Sequence, residues 1–115
     1  MFQIEYERME SALAVIHVRG RLMLGAESHQ VEQTVARLLA DGVRDFVFDL
    51  DGLTHIDSTG IGRFIASYNL ILQVEGASLR MAGAKGAVRA AFRVTKLDTV
   101  FPFFSDVEAA RAARL

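Results

Sequence analysis

The residues best placed to do chemistry are Asp57-Ser58-Thr59-Gly60-Ile61-Gly62. Asp, Ser and Thr are capping residues, whose oxygens accept hydrogen bonds from the unpaired N–H groups of a helix's first turn. Capping accounts for these three but not for Gly60 and Gly62, since a glycine within a helix costs about 1 kcal/mol relative to alanine. Glycines that break a local rule without a folding reason make room for a ligand or a partner. A hydroxyl at a helix start also sits at the positive end of the helix dipole, where an anion is favoured. A phosphoryl group on Ser58 would add about −1.5 to −2 charges and three acceptor oxygens at a surface without disturbing the fold. The chemistry predicted here is modification of the Ser58 hydroxyl.

Rival constellations are weaker. Ser58 with His17, His29 or His55 could be drawn as a hydrolase, but the chain has no G-x-S-x-G elbow and Ser58 has no oriented base beside it in sequence. The histidines lack metal-ligand spacing and read as solvated or core residues. Asp49 and Asp51, flanking Leu50, read as solvated carboxylates rather than a cation site. Gly83-Ala84-Lys85-Gly86 lacks the spacing of a phosphate-binding loop and reads as a strand-to-helix turn. No catalytic residue, cofactor site or metal site is expected, and the chain is read as non-enzymatic.

The elements that must hold Ser58 follow from periodicity. Phe2, Ile4 and Tyr6 alternate with polar residues as in a half-buried strand at an edge. A turn at Glu10-Ser11 leads to a second strand, Leu13 to Arg19, making a hairpin, and Gly20 to Gly25 is a loop or a short continuation. From Glu27 the period becomes helical, through Val31, Val35, Leu38 and Leu39, until Gly42 stops the helix. Phe46 to Leu50 is a dense apolar run that suits a central strand buried on both faces. After a connecting segment, a second helix carries Ile61, Phe64, Ile65, Tyr68, Ile71 and Leu72 on one stripe and ends at Gly76. Leu79 to Ala82 is a strand and Lys85 to Val94 a helix. Val100 to Phe104 is a last strand, which Pro102 demotes to an edge. The phenylalanines around Pro102 are assigned to packing. Ser105-Asp106-Val107-Glu108 is a capping box opening a C-terminal helix. The expected fold is a single α/β domain over residues 1–115, a mixed and mostly parallel sheet of about five strands with about four helices.

Composition narrows the partners. At 115 residues the chain can build a real core, and 51% hydrophobic with 23% charged residues is ordinary for a globular protein. A formal net charge of −1, with no Lys/Arg cluster along the sequence, argues against a nucleic-acid binder. The chain has no cysteine, hence no disulfide framework and no thiolate site. With no signal-peptide pattern at Met1 to Glu5 and no bilayer-length apolar run, a cytoplasmic protein without direct membrane insertion is expected, a monomer or weak homodimer.

The segment Asp57 to Gly62 resembles the Asp-Ser-(Ser/Thr)-Gly-(aliphatic)-Gly signature of STAS domains, in particular the bacterial anti-sigma factor antagonists. Phe46 to Leu50 upstream and Phe92-Arg93-Val94-Thr95-Lys96-Leu97 downstream support the match, with Lys96 where the family has glycine. The resemblance implies a regulatory partner switch. The unphosphorylated antagonist would bind an anti-sigma factor that is also a serine kinase of GHKL type, and a PP2C-type phosphatase would reverse the modification. Ser58 would be the phosphoacceptor, Asp57 would help present it, and Thr59, Gly60, Ile61 and Gly62 would belong to the docking surface together with the first two helices. One departure stands out: the family's Gly-Glu-aliphatic-Asp is Gly20-Arg21-Leu22-Met23 here, which lowers like-charge repulsion around a Ser58 phosphate. STAS-like chains also serve as constitutive subunits of sensory scaffolds or lipid-transport ATPase complexes, and Met23 favours that alternative.

Overall fold

The computed structural model describes residues 1–10 and 12–113, so part of the turn expected at Glu10-Ser11 lies outside the described residues. Strands β1 (Phe2–Glu10) and β2 (Leu13–Leu22) form the expected antiparallel hairpin. Then follow α1 (Gln30–Ala40), β3 (Asp45–Asp49), β4 (Leu53–Ile56), α2 (Ser58–Leu72), β5 (Ser78–Ala82), α3 (Gly86–Val94), β6 (Phe103–Phe104) and α4 (Val107–Ala112). The sheet is six-stranded in the order β1-β2-β3-β5-β6, with β4 paired to the far end of β2. Every pairing except β1–β2 is parallel.

The strand missing from the sequence reading is β4. It is only four residues long and exposes Thr54 and His55, so it carries neither an apolar run nor a sustained alternation. It forms where β2 outruns β3: beyond His17↔Asp49 and a register irregularity at Gly20/Arg21, β2 pairs Leu22 with Ile56. Ser58 therefore follows β4, not the central strand.

Other bounds shift for local reasons. Helix α1 starts at Gln30, after a 3-10 turn at Ala26–His29, and no side chain caps either start. Helix α2 ends at Leu72, four residues before Gly76. Lys85 is the extended residue before α3 rather than its first helical residue. The last strand shrinks to Phe103–Phe104, at the sheet edge as Pro102 predicts, because Phe101 turns into the core. At α4 the cap is Asp106, whose carboxylate accepts from the Ala109 N–H at 2.8 Å; Ser105 caps nothing, and Glu108 pairs with Arg111 instead.

The sheet separates two unequal cores. Ile16, Val18, Phe46 and Phe48 face α1, α2 and α3, and a chain of ring contacts runs from Phe48 through Phe64 and Phe92 to Phe101 and Phe103. On the other face Leu13, Val15, Val47 and Ala82 meet Ala110 of α4. Short α4 is held there by Arg80, 1% exposed on β5, which donates to the carbonyls of Ala110 and Ala113 at 2.8 Å and pairs with Asp45. The helix's last carbonyls and Asp45 meet the two terminal nitrogens of this buried guanidinium, while its Nε is buried without a partner among the described residues.

Candidate functional site

Asp57 organises the site. It sits in extended conformation immediately before α2, and its Oδ1 accepts from the Gly60 N–H at 2.9 Å, as a helix cap does. Its Oδ2 accepts at 2.9 Å from the N–H of Leu24, in the loop after β2. One carboxylate thus fixes both the start of α2 and the loop beside it. Burial pushes the Asp57 carboxyl upward, but the N–H groups of Gly60, Leu24 and Thr59 outweigh that and hold it below the usual carboxylate range.

Ser58, the first residue of α2, is exposed, and its Oγ has no hydrogen-bond partner among the described residues. Among the described residues no histidine is hydrogen-bonded to it: His29 contacts Arg63, His55 contacts Thr54, and His17 lies between Glu7 and Asp49. Asp49 is therefore not merely solvated, and Asp51 pairs with Lys85 at 2.9 Å. Among the described residues no group of three metal-ligating side chains is found.

The two glycines of the motif part company. A Cβ on Gly60 would collide with the Leu22 carbonyl oxygen and lie 2.7 Å from Cγ1 of Ile56, so Gly60 has a folding reason: α2 starts flat against the end of β2. A Cβ on Gly62 would meet nothing within 4 Å. Of these two, only Gly62 lacks a packing requirement. Ile61 is buried, and Thr59 is half-buried beside the cap.

Two residues of the predicted buried stripe point elsewhere. Ile61, Phe64 and Ile71 are buried, but Ile65 and Leu72 are exposed, Leu72 to 61%. Advancing 100° per residue, the core-facing arc runs from Ser67 through Ile71 and Phe64 to Ile61 and is centred near Phe64, and Ile65 and Leu72 lie beyond its rim. They continue an outward ridge, Ser58, Gly62, Ile65, Asn69, Leu72, spaced alternately four and three residues apart. That spacing was present in the sequence. Leu24, 82% exposed in the loop pinned by Asp57, adds an apolar residue next to the motif that no sequence pattern marks.

Beside the ridge, α1 and α2 enclose a groove of about 410 Å³ lined by Glu32, Gln33, Ala36, Ala66, Asn69 and Gln73. Arg63 clasps the two helices, donating from Nε to the buried Ser28 Oγ at 3.1 Å and pairing with Glu32 at 3.5 Å. Arg21 is exposed beside His55 across the β2–β4 pairing, and its Nη2 reaches Met23 Sδ at 3.5 Å.

The STAS domain profile matches residues 3–110. Among solved structures, the chain is similar to an anti-sigma factor antagonist from Mycobacterium paratuberculosis, with 21% identity, a TM-score of 0.83 and coverage of 98% of this chain and 93% of that one. It is also similar to the Bacillus cell fate determinant SpoIIAA in its phosphorylated form, with 22% identity, a TM-score of 0.67 and coverage of 99% and 100%. A third likeness is to the murine anion transporter Slc26a9, at 11% identity and a TM-score of 0.75, covering 91% of this chain but 18% of that one. No curated protein sequence matches the chain significantly. No helix among the described residues is long and apolar enough to cross a membrane.

Proposed function

The chain belongs to the STAS domain family, and on that premise we propose that it is an anti-sigma factor antagonist, a non-enzymatic cytoplasmic regulator switched by phosphorylation of Ser58. The observation that carries this reading is the exposed Ser58 hydroxyl, without a partner among the described residues and set at the start of α2 by an Asp57 whose two oxygens both accept from the backbone. A GHKL-type anti-sigma factor kinase docks on the α1–α2 face, over Leu24, Gly62, Ile65 and Leu72. It transfers the γ-phosphoryl of ATP to Ser58 Oγ: the O–P bond forms as the β,γ-anhydride breaks, ADP leaves, and the seryl proton passes to a base on the kinase. The phosphate then places about two negative charges beside exposed apolar residues that the complex must desolvate, and the partner is released. A PP2C-type phosphatase restores the hydroxyl.

Arg21 and Met23, where acidic residues would crowd the phosphate, allow the phosphorylated state to form with little like-charge cost. The same departure favours a second reading, a constitutive STAS subunit of a sensory scaffold or transport ATPase complex, in which Ser58 is never modified.

Incubation with ATP and the anti-sigma factor kinase of the same cell, followed by peptide mass spectrometry, distinguishes the two. The switch requires one phosphate on Ser58 and none on Ser58→Ala. Labelling that persists in Ser58→Ala would refute it, and an unlabelled wild-type chain in a stable complex would establish the constitutive subunit.

A further inference from the structure

Charge on this chain is segregated. All 14 carboxylate side chains lie outside the stretch between Glu75 and Asp98, which carries Arg80, Lys85, Arg89, Arg93 and Lys96. Arg80 is buried against α4, but the other four follow α3: Lys85 at its N-cap, Arg89 and Arg93 at four-residue intervals, and Lys96 just past its end. Four-residue spacing puts the first three on one helical ridge, and the whole run extends over roughly 16 Å.

Three features show that this ridge is not saturated from within. Arg93 and Lys96 are exposed and make no ion pair among the described residues. Lys85 pairs only with Asp51, both largely exposed, and such a surface pair exchanges readily. Arg89 lies 4.2 Å above the Phe103 ring with its Nη1 buried and without an acceptor. Next to Arg93, Val94 stands 81% exposed, an apolar residue in the middle of the cations.

Lys96 supplies the independent observation. Its φ of 61° is left-handed, and it is the only non-glycine with positive φ among the described residues. The turn after α3 calls for glycine, which adopts this conformation without strain, yet the residue is a lysine at the end of the cationic ridge. The turn needs this conformation but not a lysine in it, and a strain that glycine would relieve points to a use for the side chain.

We propose that the α3 ridge is a second docking surface, which takes an acidic segment of a protein partner: carboxylates on Arg93 and Lys96, and an apolar side chain on Val94. A short segment touches only the ridge. A duplex would offer phosphates but no apolar side chain for the exposed Val94. Screening over about 8 Å at physiological salt leaves Arg89, Arg93 and Lys96 as the cationic part of the ridge, with Asp51 against Lys85 at one end and Asp98 two residues past Lys96 at the other. This surface does not depend on Ser58.

The test uses the full chain and a synthetic helical peptide of about twelve residues with Glu at every fourth position and one leucine, long enough for the ridge at roughly 1.5 Å per residue. Fluorescence anisotropy should show saturable binding that weakens with added salt. Affinity should fall at least about tenfold in Arg93→Glu/Lys96→Glu and stay unchanged in Ser58→Ala. Lys96→Gly should unfold at a temperature no lower than the wild type and still bind more weakly. No peptide binding, equal binding by the double variant, or full affinity in Lys96→Gly would each overturn the proposal. Tighter binding of phosphatidylglycerol vesicles or duplex DNA than of the peptide would overturn it as well.

Discussion

The Leu24 N–H donates to Oδ2 of Asp57 at 2.9 Å, across thirty-three residues of sequence, joining the loop after β2 to the start of α2. Because the other oxygen of the same carboxylate caps α2, the exposed Leu24 and the exposed Ser58 are held in one rigid surface.

Asp57→Ala removes both bonds. Loss of a helix cap costs about 1 kcal/mol, which urea denaturation should register as a lower midpoint with an unchanged slope. Amide exchange at Leu24 should accelerate by more than the global destabilisation explains, because the loop loses its own acceptor. Exchange that tracks global stability alone would contradict the shared anchor.

Gly60 and Gly62 separate folding from docking. Gly60→Ala drives a methyl into the Leu22 carbonyl and Ile56, so it should destabilise by about 1–3 kcal/mol, as overpacked sites do. Gly62→Ala meets nothing and gains helix propensity, so stability should rise by up to about 1 kcal/mol while partner binding weakens. Thermal unfolding and calorimetric titration with the partner read the two effects apart.

His17 bridges β1, β2 and β3, with Nε2 at 2.8 Å from Glu7 and Nδ1 at 2.6 Å from Asp49. Burial opposes its charge, but hydrogen bonds to Glu7 and Asp49 and their negative charges prevail and raise its pKa above 6.5. A group raised on folding stabilises fully below its unfolded pKa and loses that contribution as pH climbs through its folded value. Stability should therefore decline from about pH 6.5 upward. His17→Gln should flatten that slope, leaving a deficit that is largest at acidic pH. Asp57 has the opposite sense: its contribution disappears as pH falls through its lowered pKa.

Arg80→Ala strands the half-buried Asp45 and the last carbonyls of α4. Breaking a buried ion pair from one side costs about 3–5 kcal/mol, and proteolysis should begin in α4.

The sequence was most informative where one residue type answered one physical demand. The hairpin, the buried run Phe46 to Leu50, and the Asp-Ser-Thr start of α2 were all legible from alternation, apolar density and capping chemistry. The four-residue β4 was not, because a strand that short with two exposed residues is recognisable only by its partner β2. Gly60 looked like Gly62 in sequence, since the carbonyl that excludes its Cβ belongs to Leu22, brought close only by the fold. Ile65 and Leu72 were assigned inward because apolar periodicity does not show where a helix's buried arc ends.

The proposed switch turns on one hydroxyl, and the decisive measurement is the affinity of the anti-sigma factor kinase for this chain before and after phosphorylation. Stoichiometric phosphate on Ser58 should weaken binding at least about tenfold, Ser58→Asp should do so in part, and Ser58→Ala should bind like the unmodified wild type. Equal affinity of the phosphorylated and unphosphorylated chains would contradict it.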